Sequence, residues 1–299
     1  MKRLTYIVML LLAVASTAAR AELRVFACEP EWGALATELA PGANVFTATT
    51  ARQDPHHIEA RPSLIAQVRR ADLVVCTGAE LEDAWLPLLL RQAGNAKVQV
   101  GARGLFLATD WVSLRERPER LDRAEGDIHA AGNPHIHTDP RNIARVAQAL
   151  SRRLADIDPA QAARYESARD DFVRRWQAAV GRWEQAARGL KGTNVISQHK
   201  GWVYLYDWLG LREIAVLEPK PGLPATIGHL TTVLERHKSE RAAMVLHAAY
   251  QNPKPSRWLA ERTGIPMIEL PYTVGGSDGA KDLFGLFDDT LARLLAVPR

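Results

Sequence analysis

Residues 158–188 read DPAQAARYESARDDFVRRWQAAVGRWEQAAR, and their apolar members Tyr165, Ala168, Phe172, Trp176, Ala179, Trp183 and Ala187 recur every three or four positions. That spacing puts one apolar stripe along an α-helix. Asp158 can serve as the N-cap, and Pro159 suits the first helical position, where a missing N–H costs nothing. Gly181 is the one internal Gly or Pro. The helix can therefore run for about thirty residues, on the order of 45 Å at 1.5 Å per residue. A helix of that length within an α/β chain predicts a rigid spine joining two lobes.

The flanks have a different rhythm. On the N-terminal side, short runs such as Leu23–Cys28, Asn44–Phe46, Asp72–Cys76 and Lys97–Val100 read as strands between segments of helical spacing such as Ile143, Val146, Ala147, Leu150 and Leu154. On the C-terminal side the runs are Thr193–Ser197, Ile214–Leu217, Ala243–Leu246 and Met267–Leu270. Strands alternating with helices argue for parallel sheets covered on both faces. The expected class is α/β, two doubly wound parallel-sheet lobes (22–157 and 191–299) joined by one long α-helix (158–190). Arg115 to Gly132, rich in charge and glycine, reads as a surface loop.

Met1-Lys2-Arg3, the apolar stretch Tyr6–Val14 and the small residues ending Ala19-Arg20-Ala21 have the layout of a secretory signal peptide, 1–21, with cleavage expected after Ala21. The apolar run is too short for ~30 Å of hydrocarbon. No Cys sits at its end to carry a lipid. Loss of Lys2, Arg3 and Arg20 lowers the formal charge from +4 to +1, which removes any electrostatic case for nucleic acid. The expected location is the periplasm, and the expected state a monomer.

Two cysteines, Cys28 and Cys76, each end a strand-like run. Export permits a disulfide, and two buried thiols are the alternative. Neither belongs to a C-x-x-C pair, so a thiolate zinc cluster is not available.

Among nine histidines, three stand in loops just beyond expected strands: His56 in Asp54-Pro55-His56-His57-Ile58-Glu59, His135 in Asn133-Pro134-His135-Ile136-His137, and His199 in Ser197-Gln198-His199. Ligands of open α/β sheets bind beyond the carboxyl ends of strands, where such loops lie. Neutral imidazoles suit zinc. No local zinc signature such as H-E-x-x-H is present, so spacing alone does not make a site.

The string Asp54–Ser63, followed by Arg70–Val75 and Gly78–Glu82, resembles the first-lobe signature of the zinc and manganese substrate-binding proteins of ABC importers. Asn133–Pro140 is similar to that family's second motif. Gln198-His199-Lys200-Gly201-Trp202, with Tyr204 and Leu209-Gly210-Leu211, is similar to its third. The long helix and the Glu218-Pro219 turn also have counterparts, so the resemblance spans the mature chain. It implies metal ligation by His56, His135 and His199, with His57 facing away from His56. For the fourth ligand it implies an acidic residue in the last loop. The sequence there reads Leu270-Pro271-Tyr272-Thr273-Val274, so Asp278, between flexible glycines, is the expected ligand. Glu59, Asp282 or a water compete for that place. Many relatives carry a long histidine-rich loop; here the matching region ends Gly126-Asp127-Ile128-His129, and His129 reads either as a residue that helps collect metal or as a lone exposed histidine.

The resemblance implies a periplasmic binding protein that captures Zn2+ (Mn2+ as the second choice) between two lobes and delivers it to an ABC importer permease, with a periplasmic metallochaperone as a further partner. The chain is not expected to be an enzyme. Small lobe motions are expected, and affinity that falls as the pH drops below ~6.5, since the ligands must be neutral. The competing readings are an exported zinc-dependent hydrolase with Glu59 as base, and a siderophore-type metal-chelate binding protein of the same fold.

Overall fold

The computed structural model describes residues 22–118 and 129–298. The expected signal peptide lies outside the described residues, as does 119–128 of the expected surface loop. The first sheet contains β1 (Arg24–Ala27), β2 (Asn44–Thr47), β3 (Leu73–Cys76) and β4 (Leu105–Leu107) in the order β2-β1-β3-β4. The second contains β5 (Asn194–Ser197), β6 (Arg212–Val216), β7 (Met244–Ala248) and β8 (Met267–Leu270) in the order β6-β5-β7-β8. Every pairing is parallel. β3 and β7 are buried at every residue, as expected of central strands covered by helices on both faces.

Helices α1 (Pro30–Leu39), α2 (Pro62–Arg70), α3 (Leu86–Ala93) and α4 (Pro140–Ile157) accompany the first sheet. The second is accompanied by α6 (Val203–Leu209), α7 (Ile227–Glu240), α8 (Lys254–Thr263) and α9 (Leu283–Leu295). The spine is α5 (Ala162–Ala187), extended at each end by a 3-10 turn, Pro159–Gln161 and Arg188–Leu190. Its buried side chains are Tyr165, Phe172, Trp176, Ala179, Trp183 and Ala187, the stripe read from the sequence with Ala168 partly exposed. A Cβ at Gly181 would meet nothing within 4 Å, so that glycine weakens the helix without serving a contact. The Asp158 carboxylate does not cap; it accepts a hydrogen bond from the Tyr165 hydroxyl at 3.1 Å.

Two expectations need correction or completion. Lys97–Val100 is not a strand: Ala96–Val98 forms a 3-10 turn, and the edge strand begins at Leu105. The Asn95 side chain caps that turn through the Lys97 N–H, and Gln99 donates to the Leu90 and Asn95 carbonyls. These local bonds leave Val100 85% exposed, where a strand would bury it. Cys28 and Cys76 are joined by a disulfide across neighbouring strands, with the Cys28 N–H donating to the Val75 carbonyl at 2.8 Å.

The two sheets share a core. α9 follows β8 in sequence, yet it packs on α1 and α5. The Trp183 indole donates to Asp288 of α9 at 2.6 Å, and the Trp176 ring lies 5.5 Å from that of Phe287. One contiguous cluster of buried residues runs from Val25 and Trp32 through the spine to Leu291 and Leu294. Opening the lobes widely would expose these aromatic side chains, each worth about 1.5–3 kcal/mol when fully buried. The shared core therefore opposes a wide opening of the lobes.

Candidate metal site

The loops at the carboxyl ends of the strands meet between the sheets. His56 follows β2, His135 precedes α4 in the 3-10 turn region 135–138, and His199 follows β5. All three are buried, and one ring nitrogen from each lies within 4.8 Å of the others. His135 Nε2 and His199 Nε2 are 3.4 Å apart. With Zn–N bonds of ~2.05 Å, the edge of a tetrahedron is ~3.3 Å. The separation is that of two ligands of one ion.

Each imidazole is held from behind at Nδ1. Asp54 Oδ1 lies 2.8 Å from His56 Nδ1 and also accepts the His56 backbone N–H at 3.0 Å. Pro55, between them, is fixed by the Trp85 indole, which donates to its carbonyl at 2.9 Å. Glu218 Oε2, in the turn after β6, lies 2.8 Å from His199 Nδ1. The Tyr272 hydroxyl lies 2.6 Å from His135 Nδ1. An Nδ1–H donated to a carboxylate leaves the lone pair on Nε2, which faces the cluster, and makes it more basic. Burial alone would raise the Asp54 pKa, but the hydrogen bond and charge of His56 outweigh it, and the pKa is lowered. Burial first, then the neighbouring His199 and His56, holds His135 well below the usual histidine range. It is therefore neutral, the form that binds a metal.

Asn133 ties the lobes at this point. Its Oδ1 accepts the His135 backbone N–H at 3.0 Å, and its Nδ2 donates to the Lys200 carbonyl of the second lobe at 2.8 Å. The cluster opens into a cavity of about 470 Å³ lined in part by Glu116, Lys200, Glu218, Pro219 and His229, a route for an ion from solvent.

The remaining expected residues lie elsewhere. Asp278 is exposed and stands outside the histidine cluster. Its loop closes on itself, Gly275 N–H to the Ala280 carbonyl at 2.6 Å and Ala280 N–H to Ser277 at 3.2 Å, while the Ser277 hydroxyl donates to Asp289 of α9 at 2.6 Å. Asp278 is thereby turned outward. Glu59 is exposed, and Asp282 caps α9 through the Gly285 N–H at 2.8 Å. His57 is exposed; His137 is buried with Nε2 3.1 Å from the Tyr272 carbonyl.

Sequence reasoning missed three contributors and left a fourth open. Asp54 and Glu218 stood inside quoted motifs, two residues before a ligand and in the Glu218-Pro219 turn, without a role. Tyr272 is what the last loop actually delivers. Its φ of 68° is rare for a bulky residue, and that left-handed backbone accompanies a ring buried against His135, with centroids 5.8 Å apart. His129 is not a lone exposed histidine: it is partly buried, and its Nε2 lies 3.3 Å from His56 Nε2.

The architecture is shared with known proteins. The family model described as zinc-uptake complex component A, periplasmic (ZnuA), matches residues 25–297. The zinc-binding lipoprotein AdcA of Streptococcus pneumoniae is 21% identical over 75% of this chain, which spans only 44% of that relative's length. A crystal structure of ZnuA superposes with a TM-score of 0.78 at 18% identity, covering 93% of this chain and 100% of that one. A manganese-bound periplasmic metal-binding protein from Candidatus Liberibacter asiaticus superposes with a TM-score of 0.74 at 15% identity, covering 92% and 98%. At such identities the structural likenesses establish the fold of two parallel-sheet lobes on a long helix. Because the matched family is one of uptake components, the hydrolase reading falls. Among the described residues no helix is long and apolar enough to cross a membrane. With residues 25–297 matched, the chain belongs to the ZnuA family of metal-uptake substrate-binding proteins.

Proposed function

We propose that this protein captures one Zn2+ ion in the periplasm through Nε2 of His56, His135 and His199 and presents it to the permease of an ABC importer. The observation that carries the reading is the convergence of three buried imidazoles from three separated loops, each backed at Nδ1 by Asp54, Tyr272 or Glu218. Nitrogen-rich sites favour zinc; manganese is a harder ion that prefers oxygen and is the weaker binder in the usual order. No carboxylate of the described residues joins the three histidines as a ligand-distance neighbour, which supports the zinc reading.

Ligands from both lobes make the ion a bridge: His56 and His135 come from the first, His199 from the second. Because the shared core resists hinge opening, loading is expected to order the loops around the cavity, and that ordered surface is what a permease would read. The test is elemental analysis of protein isolated from its own compartment, joined to zinc titration of wild type and of His56→Ala, His135→Ala and His199→Ala. One tightly bound zinc in wild type, lost in each variant, is expected. Tight stoichiometric binding by all three variants would sink the reading.

A further inference from the structure

We propose that His129 is the fourth metal ligand, completing an all-imidazole site, and that this ligand sets the preference for zinc over manganese. The proposal rests on the three-histidine reading above and extends it to the coordination position that no carboxylate among the described residues fills.

The first support is distance. His129 Nε2 lies 3.3 Å from His56 Nε2, and His135 Nε2 lies 3.4 Å from His199 Nε2. Both values match the ~3.3 Å edge of a tetrahedral zinc site, so the four imidazoles form two pairs, each already spaced as one edge of a tetrahedron. The His129 ring also lies 5.3 Å from that of His56 and 6.3 Å from that of His135. Drawing the two pairs together around an ion requires His129 to move toward His135 and His199, since it falls outside the group already within 4.8 Å.

The second support is that the backbone presents His129 from a built turn. The Gly132 N–H donates to the His129 carbonyl at 3.1 Å, closing a four-residue turn, and the Ala131 N–H is taken by Glu80 at 3.2 Å. Gly132 has a φ of 119°, and a Cβ there would lie 2.7 Å from the Arg115 carbonyl oxygen. Only glycine meets both conditions.

The third support is the set of alternatives already engaged. Asp54 and Glu218 stand behind His56 and His199, Tyr272 serves His135, and Asp282 caps α9. Asp278 and Glu59 are exposed.

The experiment compares wild type with His129→Ala, His129→Asp and His56→Ala by zinc and manganese competition titrations, and by visible absorption of the Co2+ forms. The expected result is a loss of zinc affinity in His129→Ala of at least about tenfold, the lower limit for losing even an outer partner of a ligand. Its Co2+ spectrum should shift from that of four nitrogens to three nitrogens and an oxygen. His129→Asp should regain tetrahedral coordination while its zinc-to-manganese affinity ratio falls by at least about tenfold, as oxygen replaces nitrogen. Unchanged affinity and spectrum in His129→Ala, with binding lost in His56→Ala, would overturn the fourth-ligand proposal alone. Binding unaffected in His56→Ala would overturn the three-histidine reading, and the His129 proposal with it.

Discussion

Replacing Tyr272 by phenylalanine removes one oxygen and leaves the ring that packs against His135, His137, Trp202 and Tyr250. That oxygen lies 2.6 Å from His135 Nδ1, and His135 is 1% exposed. Without metal, His135 can carry its proton on either nitrogen, because a hydroxyl can donate to Nδ1 or accept from it. With metal on Nε2 the proton must sit on Nδ1, and in the variant that N–H is buried without an acceptor. The penalty therefore falls mainly on the loaded form. Loss of such an outer partner costs about 10–100-fold in metal affinity, or about 1.4–2.8 kcal/mol. The apo protein should lose less, since its imidazole can choose the less costly tautomer. The assay is competition for zinc against a chromophoric chelator, run beside thermal melts of apo and loaded protein. A zinc affinity within about twofold of wild type, well below the expected span, would refute the view that Tyr272 orients His135.

Further outcomes follow from the same geometry. Asp278→Ala should bind zinc as wild type does in the same titration, because its carboxylate faces solvent; a loss of affinity would restore it as a ligand. Zinc binding should draw no proton from His135 or His129, whose pKa values burial and neighbouring histidines depress so that both stay neutral as pH falls below 6.5; of four imidazole ligands, at most two can then give up a proton. Affinity should therefore fall on acidification by at most about a hundredfold per pH unit near pH 5.5, where four ordinary histidines would give about ten-thousandfold. Calorimetry in buffers of different ionisation heat counts those protons, and a count above two contradicts the buried neutral state. Replacing both Cys28 and Cys76 by alanine opens a cross-link with a sequence separation of 48. Loop entropy alone puts the destabilisation at roughly 4 kcal/mol, readable by denaturant unfolding, with zinc stoichiometry retained in the folded fraction.

The architecture was legible because it is written in local periodicity. Trp176 and Trp183 announce the buried side of the spine, and the all-apolar run at Leu73–Cys76 announces a central strand. Lys97–Val100 misled because β-branched residues mark a strand only when something covers them, and Val100 faces water. His56, His135 and His199 could be marked as loop residues beyond strands, but their convergence is a property of sheet order, which one sequence does not carry. The acidic residue expected in the last loop was sought by type, and Asp278 matched the type while the loop's own hydrogen bonds turned it outward. The residue delivered there, Tyr272, needs a left-handed backbone that nothing in Leu270–Val274 advertises. His129 reads either way in the sequence because a histidine beside a charged stretch has no periodicity, and only the turn at Gly132 brings it against His56.

The central claim is that imidazoles from both lobes hold the cargo ion. Zinc K-edge X-ray absorption of the protein loaded with one equivalent reads the ligand shell directly. The account predicts a first shell at about 2.0 Å with outer-ring scattering from at least three imidazoles, and no sulfur shell at about 2.3 Å. A shell made mainly of oxygen, or one whose imidazole scattering survives unchanged in His135→Ala, would contradict it.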